Sequence, residues 1–280
     1  VKLGLIGYPV GHSLSPALHA AALAALGVAG EYRALSVPPG ELPTAVRGLH
    51  AAGYRGVNVT VPHKQAVLAL LDAVTADARE IGAVNTIVVA PDGRLLGANT
   101  DWSGFAADLD ELGLSVRGRR VAVLGAGGAA RAVVYALARA GARVAVYSRD
   151  VTRAQSLVGG LRAALGGAEL SAHALGDLAG VDAFDLVVNA TSAGMAPQTD
   201  VSPWPEGLPY PRSAALYDLV YAPAVTRLME QADAAGAPAY NGLGMLVQQA
   251  ARSSELWTGR TPPLEAMRAA AALPPRLSRR

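Results

Sequence analysis

The segment VAVLGAGGAARAVV, residues 121–134, constrains this chain more than any other. A run of β-branched apolar residues passes directly into a glycine-rich turn, and the turn into an alanine-rich helix. Gly125, Gly127 and Ala130 stand at G-x-G-x-x-A spacing. The first permits a tight turn, the second lets backbone approach a pyrophosphate, and the third allows helix and strand to pack closely. The helix start that follows offers unpaired N–H groups and a partial positive charge to phosphate. Alone, this spacing is also that of an ordinary glycine-rich turn. Between a clear strand and a clear helix it marks a dinucleotide-binding βαβ unit. Further strands are expected at ARVAVYSR, at 170–175, at 185–191 and at 214–221. Repeated strand–helix–strand units pair in parallel with right-handed crossovers, so residues 102–241 predict a Rossmann-like, doubly wound α/β domain.

The end of the second strand selects the dinucleotide. An NAD enzyme places an acidic residue there to hold the ribose 2′-hydroxyl. This chain has Ser148 and Arg149, with Arg153 one helical turn later. Two guanidiniums and a hydroxyl suit a 2′-phosphate, since the arginine fork matches phosphate oxygens. Asp150 opposes this if it points at the phosphate; the other reading makes it a helix cap between two surface arginines. Coupled to the glycine turn, the arginines favour NADP.

A chain of 280 residues exceeds one typical domain. Residues 1–101 alternate helix and strand less regularly, which predicts a smaller α/β domain with a mixed sheet. A helix is expected at 15–26 with Ser15 as its cap and Pro16 in its first turn, strands at 31–37 and 56–61, and a strand pair across 84–100. From Gly242 to residue 280 the pattern is helical and is expected to pack back on this first domain, leaving a cleft between the two. Composition excludes several classes. No apolar run reaches the ~18 residues of a membrane span, the absence of cysteine removes disulfides and thiolate metal sites, and no other metal site is read. A net charge of +2 owes much to Arg276, Arg279 and Arg280, so no basic body is left for nucleic acid. The start VKLGLIG reads as a strand rather than a signal peptide, and a cytoplasmic location is expected.

Of the 24 basic side chains other than histidine, only Lys2 and Lys64 are lysine. Lys64 follows the alternating strand GVNVTV and Pro62, at an expected helix start, where the dipole disfavours a positive charge. Lysine can release its proton in a protein and arginine cannot, so a lysine-specific task here is proton transfer. Ser13 and Ser15 in GHSLSP, Asn58 and Thr60, Asn85 in GAVNT, and Asn99, Thr100 and Asp101 in ANTDW form similar polar groups at turns. Singly, each has a structural reading: Asn58 and Thr60 as a solvated strand face, Asp101 as a cap of helix 102–112. Together they suit a small polyhydroxylated substrate.

GYPVGHSLSP, NVTVPHK, GAVNT, NTDW, GAGGAAR, NATSAGM and NGLGMLVQQA, in this order, resemble the shikimate dehydrogenase family over nearly the whole chain. The resemblance implies reversible NADP-dependent reduction of 3-dehydroshikimate to shikimate, in aromatic amino acid biosynthesis. It implies Lys64 and Asp101 as the catalytic pair, and Ser13, Ser15, Thr60, Asn85, Tyr221 and Gln249 as substrate ligands, Gln249 being chosen over Gln248 by its spacing from GLGM. Gly125, Ala126, Gly127, Gly128, Ala129, Ala130, Ser148, Arg149, Arg153, Asn189, Ala190, Thr191, Ser192, Leu219 and Gly242 would line the cofactor. Ser148 stands where the family often has Asn, and Asp150 where it often has Thr. A quinate/shikimate dehydrogenase using NAD is the nearest alternative, and an NADP(H)-sensing regulator without turnover is the alternative from another class. A homodimer is compatible with all three.

Overall fold

In the computed structural model, residues 1–11, 13–178 and 184–271 are described. His12 of GHSLSP and the terminal Arg276, Arg279 and Arg280 lie outside them. The chain divides into two compact units, Val1–Phe105 joined by the segment from Leu246 onward, and Ala106–Met245.

The first unit begins β1 (Lys2–Gly7), α1 (Ser15–Ala25), β2 (Glu31–Ser36), α2 (Leu42–Arg47) and β3 (Gly56–Val59). It continues β4 (Ala73–Val74), α3 (Ala76–Ile81), β5 (Thr86–Val89) and β6 (Leu95–Ala98). The sheet order is β2-β1-β3-β5-β6-β4. β1 runs parallel to β2 and β3, whereas β3, β5 and β6 alternate in direction, so the sheet is mixed. Period-2 alternation splits β3 between two faces. Val57 and Val59 enter one core with Ile6, Val46 and Ile87, while Asn58 faces the other way and is buried. Its face is not solvated, as the alternation alone suggests, but covered.

Helix α1 corrects one expectation. Pro16 lies in its first turn as read, but Ser15 is its first residue and Leu14 holds the cap position without a side-chain bond. Ser13 does the satisfying instead, its Oγ accepting from the Ser15 N–H at 3.2 Å. A hydroxyl two residues upstream reaches an orphan donor that Ser15, already helical, cannot serve for itself.

α4 (Asp101–Glu111) leads into the second unit. There β7 (Arg120–Leu124), α5 (Gly128–Arg139), β8 (Arg143–Ser148), α6 (Val151–Leu165), β9 (Leu170–Ala174), β10 (Leu186–Asn189), β11 (Ala215–Asp218), α7 (Arg227–Ala234) and β12 (Ala239–Asn241) follow. All strands pair in parallel in the order β12-β11-β10-β7-β8-β9. This is the doubly wound arrangement, in which the order reverses between β7 and β10. The fully buried runs of β7 and β10 explain it, because a strand covered on both faces reads as continuous rather than alternating. β12 was not expected from sequence; three residues are too few to show a period.

Two helices close the described chain, α8 (Leu243–Thr258) and α9 (Leu264–Ala270). The half of α8 that belongs to the first unit lies on the face of β3 that carries Asn58. Trp257 Nε1 donates to the Ile87 carbonyl at 2.9 Å, and Ser253 Oγ accepts from Asn58 Nδ2 at 2.9 Å.

Candidate active site

In the first unit, Lys64 and Asp101 meet. Lys64 Nζ donates to Asp101 Oδ2 at 2.6 Å, with side chains 13% and 6% exposed. Lys64 is not at an α-helix start, contrary to expectation. After Pro62 the chain turns and forms only a 3₁₀ turn, Ala66–Leu70, so the dipole argument does not apply and the partner of the lysine is a carboxylate. The backbone at Lys64 is fixed by Val84 N–H, which donates to its carbonyl at 2.8 Å. His63 is buried and turned away, with Nε2 donating to the Val37 carbonyl at 2.7 Å.

Asp101 opens α4 but does not cap it. Asn99 does, its Oδ1 accepting from the N–H groups of Asp101 and Trp102 at 3.0 and 3.3 Å. That frees both carboxylate oxygens of Asp101 for other partners. Oδ2 takes Lys64, and Oδ1 accepts from Asn85 Nδ2 at 2.9 Å. The Asn85 amide cannot be turned round, because its Oδ1 accepts from the Thr100 backbone N–H at 2.7 Å. Gln249 on α8 completes the group, its Oε1 lying 3.2 Å from Asn85 Nδ2. Of the two adjacent glutamines, Gln249 joins the network, and Gln248 sits on another face of the helix at half exposure.

Lys64, Asp101, Asn85 and Gln249 are thus one hydrogen-bonded set. Thr60, half-buried, ends the strand beside them, its N–H bonded to the Ile6 carbonyl at 2.8 Å. Ser13 and Ser15 follow the neighbouring strand β1. Tyr221 belongs to the second unit, after β11. Sequence reasoning passed over Thr86 and Ser253, both fully buried among these polar groups. The signal for Ser253 was its spacing, since four residues from Gln249 puts it on the same helix face.

In the second unit, the candidate cofactor segments gather where strand order reverses. The turn after β7 (Gly125, Ala126, Gly127) and the loop after β10 (Ala190, Thr191, Ser192) leave adjacent parallel strands, with Leu124 in register with Asn189. Gly125 has φ +108, and an added Cβ would lie 3.0 Å from the Thr191 methyl, so this turn admits only glycine. Gly127 differs. It caps α5, ahead of Gly128, Ala129 and Ala130, and a Cβ there would meet no protein atom. Open space over helical N–H groups fits the approach of a pyrophosphate. Gly242 is required for packing, because a Cβ would fall 2.2 Å from the Leu219 carbonyl oxygen.

The loops after β10 and β11 are fastened to one carboxylate. Asp218 accepts from Asn189 Nδ2 at 2.8 Å, Val220 N–H at 3.0 Å and Thr226 Oγ1 at 2.7 Å. Burial raises its pKa to about 6 against those three donors. Asn189 Oδ1 in turn accepts from Thr191 N–H at 3.0 Å, and its carbonyl accepts from Leu219 N–H at 2.9 Å.

At the end of β8, Ser148 is followed by Arg149, and Asp150 is the cap of α6, accepting from Thr152 and Arg153 N–H groups at 3.0 and 3.4 Å. Its bond to Thr152 holds its pKa below the usual carboxylate value. The acid therefore serves its own helix. Arg131, in the first turns of α5, was not singled out from sequence. Its guanidinium is held below the ordinary value by burial first and by the nearby charge of Arg153 second. Two arginines near enough to repel each other suit an anion, and the residues present fit a phosphorylated dinucleotide.

Three family models match the chain. They are the shikimate dehydrogenase substrate binding domain over residues 5–87, shikimate / quinate 5-dehydrogenase over 109–199 and the shikimate 5′-dehydrogenase C-terminal domain over 242–272. The chain is similar to shikimate dehydrogenase (NADP(+)) of Symbiobacterium thermophilum, 47% identical over 96% of this chain and 92% of that protein. Among solved structures it is similar to shikimate 5-dehydrogenase of Thermus thermophilus in complex with NADP(H) and shikimate. There the identity is 42%, the coverage 97% and 98%, and the TM-score 0.85. Quinate dehydrogenase of Corynebacterium glutamicum in complex with NAD gives 34% identity, 96% and 98% coverage, and a TM-score of 0.85.

Proposed function

The chain belongs to the shikimate dehydrogenase family, and from that premise we propose that it reduces 3-dehydroshikimate to shikimate reversibly with NADPH, a step of aromatic amino acid biosynthesis. The observation that carries the reading is the Lys64–Asp101 contact of 2.6 Å, enclosed with Asn85 and Gln249.

When bound, the nicotinamide supplies a hydride to the ketone carbon and takes one up in the reverse direction. The chain handles the proton. As hydride arrives, the carbonyl oxygen gains alkoxide character, and Lys64, as ammonium, donates to it and becomes the amine. In the oxidation the amine accepts the hydroxyl proton. Asp101 holds one N–H of Lys64, and an ammonium has three, so donors remain for the substrate oxygen. Ser13, Ser15, Thr60, Asn85, Tyr221 and Gln249 are assigned to the hydroxyls and carboxylate of the substrate.

Ser148, Arg149 and Arg153 are assigned to the 2′-phosphate, with Asp150 withdrawn as a cap. Gly125 to Ala130, Asn189 to Ser192, Leu219 and Gly242 line the rest of the cofactor. NAD with quinate is the competing pair, and the similarity to the Corynebacterium quinate dehydrogenase in complex with NAD is what favours it. Initial rates at the nicotinamide absorbance band, with shikimate and quinate each tested with NADP and NAD, separate the two. Turnover dominated by shikimate with NADP is expected. Comparable rates with quinate or NAD would replace the reading with the broader dehydrogenase, and tight NADPH binding without turnover would replace it with a sensor.

A further inference from the structure

Behind the Lys64–Asp101 pair lies a buried polar network reaching to α8. Its hub is Ser253, fully buried on that helix. Ser253 Oγ is 2.9 Å from Asn58 Nδ2, 2.9 Å from Thr86 Oγ1, 3.1 Å from Thr100 Oγ1 and 3.0 Å from the Gln249 carbonyl.

Donor counting constrains the direction of these bonds. A carbonyl only accepts, so the single hydrogen of Ser253 is assigned to Gln249 O and its two lone pairs to Asn58 and Thr100, while the Thr86 hydroxyl donates to Asn85 Oδ1 at 3.0 Å. Asn58 is oriented to donate, because its Oδ1 accepts from Tyr32 Oη at 2.7 Å and its Nδ2 also faces the Asn85 carbonyl at 3.1 Å. Thr100 Oγ1, 2.8 Å from Asn85 Nδ2, must accept there. Its own hydrogen is then directed to Ser253. The resulting relay runs from Asn85, which donates to Thr100 on one side and to Asp101 Oδ1 on the other, and from Thr100 to Ser253.

We propose that Ser253 is a positioning residue for the reaction: by accepting the Thr100 hydroxyl proton it keeps a Thr100 lone pair on Asn85, and so aims the second Asn85 N–H at Asp101, which holds Lys64. The proposal rests on the reading of Lys64 and Asp101 given above. Without the Ser253 oxygen, the Thr100 hydroxyl turns to Asn85 Oδ1 at 3.2 Å or Gln249 Oε1 at 3.4 Å. That rotation swings the Thr100 lone pairs away from the Asn85 amide, and Asp101 Oδ1 faces a less firmly oriented donor.

The test is steady-state kinetics of Ser253→Ala, Ser253→Thr and Ser254→Ala with shikimate and NADP, and with shikimate deuterated at the oxidised carbon. Ser254 is adjacent and buried, and its side chain bonds His19 at 2.9 Å rather than Thr100 or Asn85. Ser253→Ala should lower kcat about tenfold with the KM for NADP unchanged, and should raise the deuterium isotope effect as the chemical step becomes slower. Ser253→Thr, which keeps the hydroxyl, should recover most of kcat. Ser254→Ala should lower thermal stability but leave kcat and the isotope effect alone. If Ser253→Ala does not fold, Thr100→Val breaks the relay one link nearer Asp101 and should give the same split. A wild-type kcat and isotope effect in the relay variant, or equal losses in Ser253→Ala and Ser254→Ala, would overturn the proposal. A wild-type chain that does not turn over shikimate would instead overturn the reaction on which it rests.

Discussion

Arg149 and Arg153 differ in kind from Lys64, although all three carry the same charge. Lys64 sits against a carboxylate at 2.6 Å, while Arg153 has Arg131 among its neighbours and shares the start of α6 with Asp150, which caps that helix. Cations grouped in this way suit an anion. Replacing Arg149 or Arg153 by Ala should raise the KM for NADPH about 10- to 100-fold, the worth of one charge-assisted hydrogen bond. The kcat and the KM for NADH should barely change. Parallel titrations of both cofactors read this directly, and an equal loss for NADH would remove these arginines from the 2′-phosphate.

Helices α1 and α8 hold the least obvious buried group, His19. It is stacked on Tyr32 with ring centroids 4.3 Å apart, bonded to Ser254 and fully buried. Desolvation lowers its pKa from 6.5 to about 3. The unfolded chain therefore takes up a proton near pH 6.5 that the folded chain refuses until about pH 3. Stability that is complete above pH 6.5 is lost as pH falls through this window, by about 5 kcal/mol when fully titrated. Asp218 acts in the opposite sense. Its raised pKa of about 6 means that the fold gains from its protonation as pH falls from there toward the ordinary carboxylate value, which offsets part of the loss. Denaturant midpoints of the wild type and His19→Asn at pH 7 and pH 5 check this. The variant should be less stable at pH 7 but lose less between the two values; parallel losses would exclude His19 as the acid-sensitive group.

Elements were legible in the sequence where burial leaves a period. β7 and β10 read as apolar runs because both their faces are covered, and the glycine turn announced its own geometry. Asn58 was misread as solvated because alternation shows that two residues share a face, not what covers it. The cover comes from Ser253, 195 residues away. Asp101 and Asn99 exchanged roles for a similar reason: both residue types cap helices, and only the path of the backbone decides which side chain reaches the N–H groups.

Across the whole molecule, sequence motifs scattered from Ser13 to Gln249 resolve into two sets, one in each unit. The first unit gathers the residues proposed to handle the proton, and the second gathers the glycine turn, the arginines proposed for the 2′-phosphate and the loops fastened by Asp218. That division is what a hydride-transferring enzyme requires, since the cofactor carries the hydride and the chain must supply the proton. Among the described residues no helix is long and apolar enough to cross a membrane. Everything proposed for the chemistry turns on whether position 64 needs a group able to give up its proton. Single-turnover oxidation of shikimate by Lys64→Arg, with saturating NADP and with cofactor binding shown to be intact, decides this. A rate at least about 100-fold below wild type is expected, the usual contribution of a positioned acid or base. An arginine variant that turns over at a near wild-type rate would contradict it and leave Lys64 as a fixed positive charge.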